Sequence, residues 1–239
     1  MSTESEIKRP RLVVMQPYFL PSMVYFQLVY AADIFVFLDD VQFVTKRWTH
    51  RNRLRIGESD YPFTVPLSGR SQNRDLNEIH LHPEEYPRWR DKFLKTLRTQ
   101  YGDHEAIAEL AAVLEPAEVS LADLAARSVT WAAGRIGLAP RFLRSSNVDH
   151  DRDAGRTGRI LSLCRTFDAA TYVNAAGGRS LYRAAEFEPD GIALRFIETG
   201  VLPGDMASVS ILDPLLKLPP ARLRELAGAY SLEGDRADG

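Results

Sequence analysis

Two mainly apolar runs, RLVVM at 11–15 and DIFVFLD at 33–39, each with a pair of β-branched residues, are separated by only enough chain for one proline-bracketed turn and one helix. Met23, Phe26, Gln27 and Tyr30 recur at helical spacing after Pro21, a favoured residue at a helix start. A strand that returns beside its predecessor through a helix is parallel to it, with a right-handed crossover. Runs apolar on both faces suit buried parallel strands. The unit therefore predicts an α/β protein.

The rest of the chain extends that reading. From Val41 to Leu67 the pattern is that of a hairpin: Arg51, Arg53 and Arg55 alternate with Asn52, Leu54 and Ile56, and the turn-like GESD follows. PEEYPRWRDKFLKTLRTQYG reads as an amphipathic helix closing on Gly102, with Trp89, Phe93 and Leu97 four residues apart. Two more helices are expected at 105–115 and 120–136, the second opened by Ser120 with Asp123 in a capping-box spacing. Then RFLRSS (141–146), a helix at 157–167, ATYVN (170–174) and IALRFIE (192–198) restore strand–helix alternation, and SILDPLLKLP adds a helical turn. The expected fold is a mixed, mainly parallel sheet flanked by helices, with a helical middle segment. Residues 1–10 read as a disordered lead, 11–230 as one domain with sub-halves 11–102 and 140–218 joined by helices 105–136, and 231–239 as a flexible tail.

Composition narrows the function. A chain of 239 residues with 45% apolar side chains can bury a substantial core, and its net charge of −2 lacks the basic footprint of a nucleic-acid binder. A single cysteine, Cys164, rules out an internal disulfide framework and fits a reducing compartment. The apolar runs are too short to span a membrane. A cytoplasmic location with a small-molecule substrate, and neither nucleic acid nor membrane as partner, is expected; a homodimer is compatible with all of this.

Ligands of open α/β sheets sit outside the carboxyl ends of the strands, which selects three groups. Gln16 ends the first strand, Asp39, Asp40 and Gln42 the second, and Asn174 with Gly177 and Gly178 the late one. In QPYFLP, Pro17 and Pro21 restrict the backbone around Gln16 and Tyr18. Adjacent strand residues point to opposite faces, so Asp40, sharing a face with Gln42, is preferred over Asp39 as a base. Arg47, Arg51 and Arg53 suit bidentate recognition of a carboxylate or phosphate, and Trp48 suits stacking on a planar ligand. Glycine at 177 and 178 allows positive φ and close backbone approach, but the pattern is neither a dinucleotide nor a P-loop fingerprint. His80 and His82 lack a third ligand at metal spacing, so no metal and no cofactor is expected. Cys164 lies mid-helix on the face of Ile160 and Leu161 and reads first as a small buried hydrophobe, since a mid-helix position by itself offers neither the helix N-terminus nor the neighbouring His that activates a thiolate.

Taken in order, QPYFLP, ADIFVFLDDVQF, RWTHRNRLR, TVPL, GRILSLCRTFDAATYVNAAGGRSLY, GIALRFIE and SILD resemble the WbqC-like protein family across about residues 11–215. The resemblance points to Gln16, Pro17, Tyr18, Pro21, Asp40, Gln42, Trp48, Arg51, Asn52, Cys164, Asn174, Gly178, Tyr182 and Asp213. It implies a role beside surface-polysaccharide or secondary-metabolite biosynthesis, with transfer of an acyl or aminoacyl group to an amino sugar or similar amine. Ser22, Met23, Val24, His50 and TGVLPGDM depart from the family pattern, which implies an altered substrate. The preferred expectation is thus an amide-forming transferase, its substrate free or linked to a carrier or nucleotide. Its catalysis would run through Cys164 with His50 or His150 as base, or through Asp40 acting on the amine. A nucleotidyl-transfer or adenylate-forming enzyme and a non-catalytic ligand-binding partner are the alternatives.

Overall fold

The computed structural model describes residues 9–44, 48–69, 71, 73–115 and 119–235. β1 (Arg11–Met15), α1 (Met23–Ala31) and β2 (Ile34–Phe37) form the opening parallel unit, with Leu12 opposite Ile34 and Met15 opposite Phe37. β3 (Arg51–Ile56) and β4 (Ser59–Thr64) make the hairpin, and its turn needs Gly57, whose φ is +59°. A short ladder of β5 (Leu67–Ser68) and β6 (His80–Leu81) leads into three helices, α2 (Glu85–Tyr101), α3 (Glu105–Leu114) and α4 (Leu121–Ile136). There follow β7 (Arg141–Arg144), α5 (Gly155–Thr166), β8 (Thr171–Ala175), α6 (Ala184–Phe187), β9 (Ala193–Thr199), α7 (Leu212–Leu215), α8 (Pro220–Ala227) and β10 (Tyr230–Glu233).

Six strands join in the order β10-β9-β8-β1-β2-β7, all neighbours parallel except β10 with β9. Strands from both ends of the chain complete one sheet around the helical middle, so the molecule is a mixed, mainly parallel α/β protein. No described helix is long and apolar enough to cross a membrane.

Side-chain alternation gives the sheet two buried faces. Val13, Phe35, Phe37, Val173 and Ile197 face the larger core, built with α1, the hairpin and α2–α4. Leu12, Val14, Ile34, Val36, Tyr172 and Leu194 face the smaller one, covered by Ile160, Leu163 and Cys164 of α5 and Phe187 of α6. Each fully buried large apolar side chain contributes roughly 1.5–3 kcal/mol. α2 shows how period becomes packing: Trp89 stacks on Phe93 at 5.1 Å between ring centroids, while Phe93 and Leu97 are wholly buried. α4 starts as its spacing predicts, with the Asp123 N–H donating to Ser120 Oγ and the Ser120 N–H donating back to Asp123, each at 3.0 Å.

The ends differ from expectation. β10 occupies part of the expected tail, because Leu232 and its neighbours find an antiparallel partner in β9. α8 was not foreseen; its prolines at 219 and 220 open a helix whose Leu223, Leu226 and Ala227 are buried. Pro10, expected in the lead, already accepts a backbone hydrogen bond from Ala170 at 3.1 Å.

Candidate functional site

β1 and β8 lie side by side, yet the chain leaves them in opposite directions, from β1 toward β2 across one face and from β8 toward β9 across the other. Their connections diverge and open a crevice at the carboxyl edge, the topological switch point where such sheets bind ligands. The turn after β1 forms one wall. Within it Leu20 is wholly buried and holds φ at +46°, a left-handed conformation rare for a bulky residue.

Three polar side chains fix that conformation. Ser128 Oγ accepts the Leu20 N–H at 3.0 Å, while Asn52 Nδ2 and Ser210 Oγ both donate to the Leu20 carbonyl at 2.8 Å. Backbone bonds add to the clamp: Phe19 N–H donates to Thr49 at 3.0 Å, and Ile211 N–H to Pro21 at 2.7 Å. Such strain costs about 1–3 kcal/mol and persists only where surrounding contacts over-determine it. The proline-bracketed turn is therefore held by β3, α4 and the segment before α7 together.

Beside this turn is an open cleft of about 420 Å³. Met15 and Ala175, at the ends of β1 and β8, line it from below. Tyr18, Pro21, Ser22, Val24, Tyr25 and Leu28 line it from the turn and α1, Trp48, Asn52 and Arg53 from the hairpin side, and Ala207 and Ser208 from the late loop. Tyr25 directs its hydroxyl to the Gln16 carbonyl at 2.9 Å, and burial lifts that phenol well above its ordinary pKa, so its ring alone is offered to the cleft. Trp48 is 53% exposed, with the Arg51 guanidinium 5.4 Å from its ring centroid.

The end of β2 is built differently. The strand stops at Phe37, so the expected alternation of Asp39 and Asp40 does not hold: both carboxylates meet the same Ser145. Ser145 Oγ donates to Asp40 and accepts the Asp39 N–H at 3.1 Å. Asp39 also accepts from the N–H and hydroxyl of Ser146 at 2.9 and 2.8 Å. Asp40 is paired with Arg152 at 2.8 Å and Arg159 at 2.7 Å. Burial alone would raise the Asp40 pKa, but the Ser145 and Arg152 hydrogen bonds and the Arg159 charge outweigh it and hold the carboxyl below its usual range. A carboxylate so held is a weak base. His150 is similarly engaged: Nδ1–H donates to the Val148 carbonyl at 2.9 Å and Nε2 accepts from Arg159 at 3.1 Å.

The remaining expected residues scatter. Cys164 is 1% exposed in the smaller core, and burial pushes its thiol up to about 12. His50 is buried on the other side of the sheet, its ring 5.5 Å from Phe43 of the larger core. The expected Cys164–His50 pair is thus corrected: the sheet separates them, and the His150 ring is occupied by Val148 and Arg159. Gln42 is exposed and bridges to Asp75. Tyr182 packs edge-on to Tyr172 at 5.6 Å in the smaller core. Arg47 lies outside the described residues.

Neither Gly177 nor Gly178 adopts positive φ. Gly178 is required for another reason: a Cβ there would lie 2.6 Å from Asn174 Nδ2. Asn174 itself accepts the Ala175 N–H at 2.8 Å. Asp213 ties β3 and α2 to its own segment, accepting from the Arg55 N–H at 3.2 Å, Tyr101 at 3.1 Å and Lys217 at 2.7 Å. Of the expected ligand-binding residues, Tyr18, Trp48, Asn52 and Arg53 line the cleft directly, with Gln16 and Asn174 next to lining residues. Ser208, Tyr25 and Ala175 were not foreseen; only the helical spacing that places Tyr25 beside Leu28 hinted at one of them.

A sequence profile of the WbqC-like protein family matches residues 16–225. The uncharacterized protein Rv1507c of Mycobacterium tuberculosis (strain ATCC 25618 / H37Rv) is 24% identical over 194 residues, covering 79% of this chain and 82% of that protein. No solved structure matches.

Proposed function

Since the chain belongs to the WbqC-like protein family, we propose that it is a cytoplasmic biosynthetic enzyme that joins an acyl or aminoacyl group to a small amine within the switch-point cleft. The observation that carries this reading is the open cleft beside a strained, cross-braced turn, since stored backbone strain clusters at functional sites. Among the described lining residues there is no cysteine, histidine or carboxylate. We read the reaction as direct transfer, with no acyl group held on a cysteine. An activated acyl donor and the amine are held together, the nitrogen attacks the carbonyl carbon, and the C–N bond forms as the donor's leaving group departs with its electron pair. The surplus proton of the amine passes to water at the cleft mouth. Positioning alone can supply a large share of such a rate. Ser22 and Val24, which depart from the family pattern, line the cleft, so the acceptor need not be an amino sugar.

The same lack of an acid or base in the described lining favours one second reading, a ligand-binding partner without turnover. Incubating the purified protein with acyl phosphates, thioesters, or carboxylic acids plus ATP and a panel of amines, with product read by mass spectrometry, separates the two. The enzyme reading expects an amide that disappears in Ala207→Trp, which plugs the cleft, and persists in Cys164→Ala. Amide formation undiminished by the plug, or abolished in Cys164→Ala, contradicts it. Ligand binding without product under every donor supports the partner reading.

A further inference from the structure

We infer that the cleft receives a small organic anion with a flat apolar body, its carboxylate or phosphate taken by Arg53 and its ring laid against Trp48. This deepens the functional reading above and rests on it.

The charge around the cleft is uneven. Arg53 is the one charged side chain among the described lining residues. Its Nη1 donates to Asp60 at 2.9 Å, but its Nε is buried without an acceptor. The side chain as a whole is 35% exposed beside the cleft, so the outer edge of the guanidinium, which Asp60 leaves open, can reach an acceptor there. Asp60 cannot fully neutralise it, because its other oxygen binds Arg55 at 3.1 Å, and Arg55 also draws on Asp205 at 2.8 Å. A planar guanidinium with a free edge favours carboxylate and phosphate over other acceptors.

The rest of the lining describes the body of the ligand. Met15, Pro21, Leu28 and the Tyr25 ring are apolar, and the Tyr25 hydroxyl is already committed to Gln16. Asn52, also on the wall, has both polar atoms engaged: its Nδ2 donates to the Leu20 carbonyl and its Oδ1 accepts the Arg53 N–H at 2.9 Å. A largely apolar cleft of about 420 Å³ lies in the range of small-molecule sites. Trp48, half exposed at its mouth and backed by Arg51, presents a face suited to a ring.

Four probes of one size test this: phenylacetate, phenyl phosphate, benzylamine and benzyl alcohol, each titrated to millimolar concentration while tryptophan fluorescence and thermal midpoint are read. One or both anions should bind and raise the midpoint, and the comparison between them identifies the head group. Arg53→Gln should weaken anion binding about tenfold or more. Asp60→Asn, which removes the same hairpin salt bridge but keeps the guanidinium, should bind the anions at least as well as the parent. Equal binding of benzylamine or benzyl alcohol, no binding of any probe, unchanged affinity in a folded Arg53→Gln, or equal loss in Asp60→Asn overturns the inference. Loss of anion preference while Ala207→Trp still abolishes turnover leaves the functional reading standing; turnover surviving that plug removes the reading itself.

Discussion

The two sides of the sheet's carboxyl edge are built to opposite rules. On the α5 side, Asp39, Asp40, Ser145, Arg152, Arg159 and His150 pair among themselves, and α5 is tied to the ends of β2 and β7. On the α1 side, aromatic and small residues surround an open cleft, and the polar groups of Asn52, Ser128 and Ser210 are spent on holding Leu20. Dense charge marks the place where the molecule is fastened. The open cleft lies where side chains are chemically plain and the backbone is under strain.

The sharpest way to break this contrast is Asp40→Ala. Removing the carboxylate leaves Arg159 and Arg152 without their partner in a partly buried cluster, so stability should fall by about 2–3 kcal/mol in denaturant titrations, with anion binding in the cleft retained. The pH dependence has a definite sign. The folded-state pKa of Asp40 is depressed, so its contribution is fully present above the unfolded value of about 4 and is lost as pH falls through the lower folded value. Asp40→Asn should therefore flatten the acid limb of the stability profile below about pH 4 and leave the neutral region parallel to the parent.

Next in size is the clamp on the turn. Asn52→Ala and Ser210→Ala should each cost about 1–2 kcal/mol by removing one of the two side-chain donors to the Leu20 carbonyl. Because both donate to one oxygen, the double variant should depart from additivity by at least about 0.5 kcal/mol; strict additivity would mean that they act separately. Cys164→Ala should cost about 1 kcal/mol, as an ordinary core truncation does, with turnover unchanged. The smallest effect on stability belongs to Trp48→Ala, within about 0.5 kcal/mol for so exposed a side chain, although ligand affinity should drop. A large loss of stability there would make Trp48 part of the core.

The sequence made the frame of the molecule legible. Strict apolar runs at 11–15 and 34–37, the four-residue stripe of α2 and the Ser120–Asp123 cap all carry local signals that the tertiary structure leaves intact. β10 and α8 were hidden because Leu232 and Leu223 acquire meaning only through partners far along the chain. The candidate site was legible in outline and obscure by residue. Strand-end logic led to the crevice at Gln16 and Asn174, and Tyr18, Trp48 and Asn52 stand on its wall. The same logic favoured reactive residue types, and Asp40, His150 and Cys164 turn out to be consumed by ion pairs, hydrogen bonds or packing. No local pattern announces that Leu20 will adopt positive φ, since that conformation is imposed by residues from three distant segments.

A structure of the protein bound to phenylacetate or phenyl phosphate most directly tests the division between a fastened side and an open one. The ring should rest between Trp48 and the Tyr25 face above Met15 and Ala175, with the anionic head on Arg53. A ligand seated instead among Asp40, Arg152 and Arg159, displacing their mutual contacts, would contradict it.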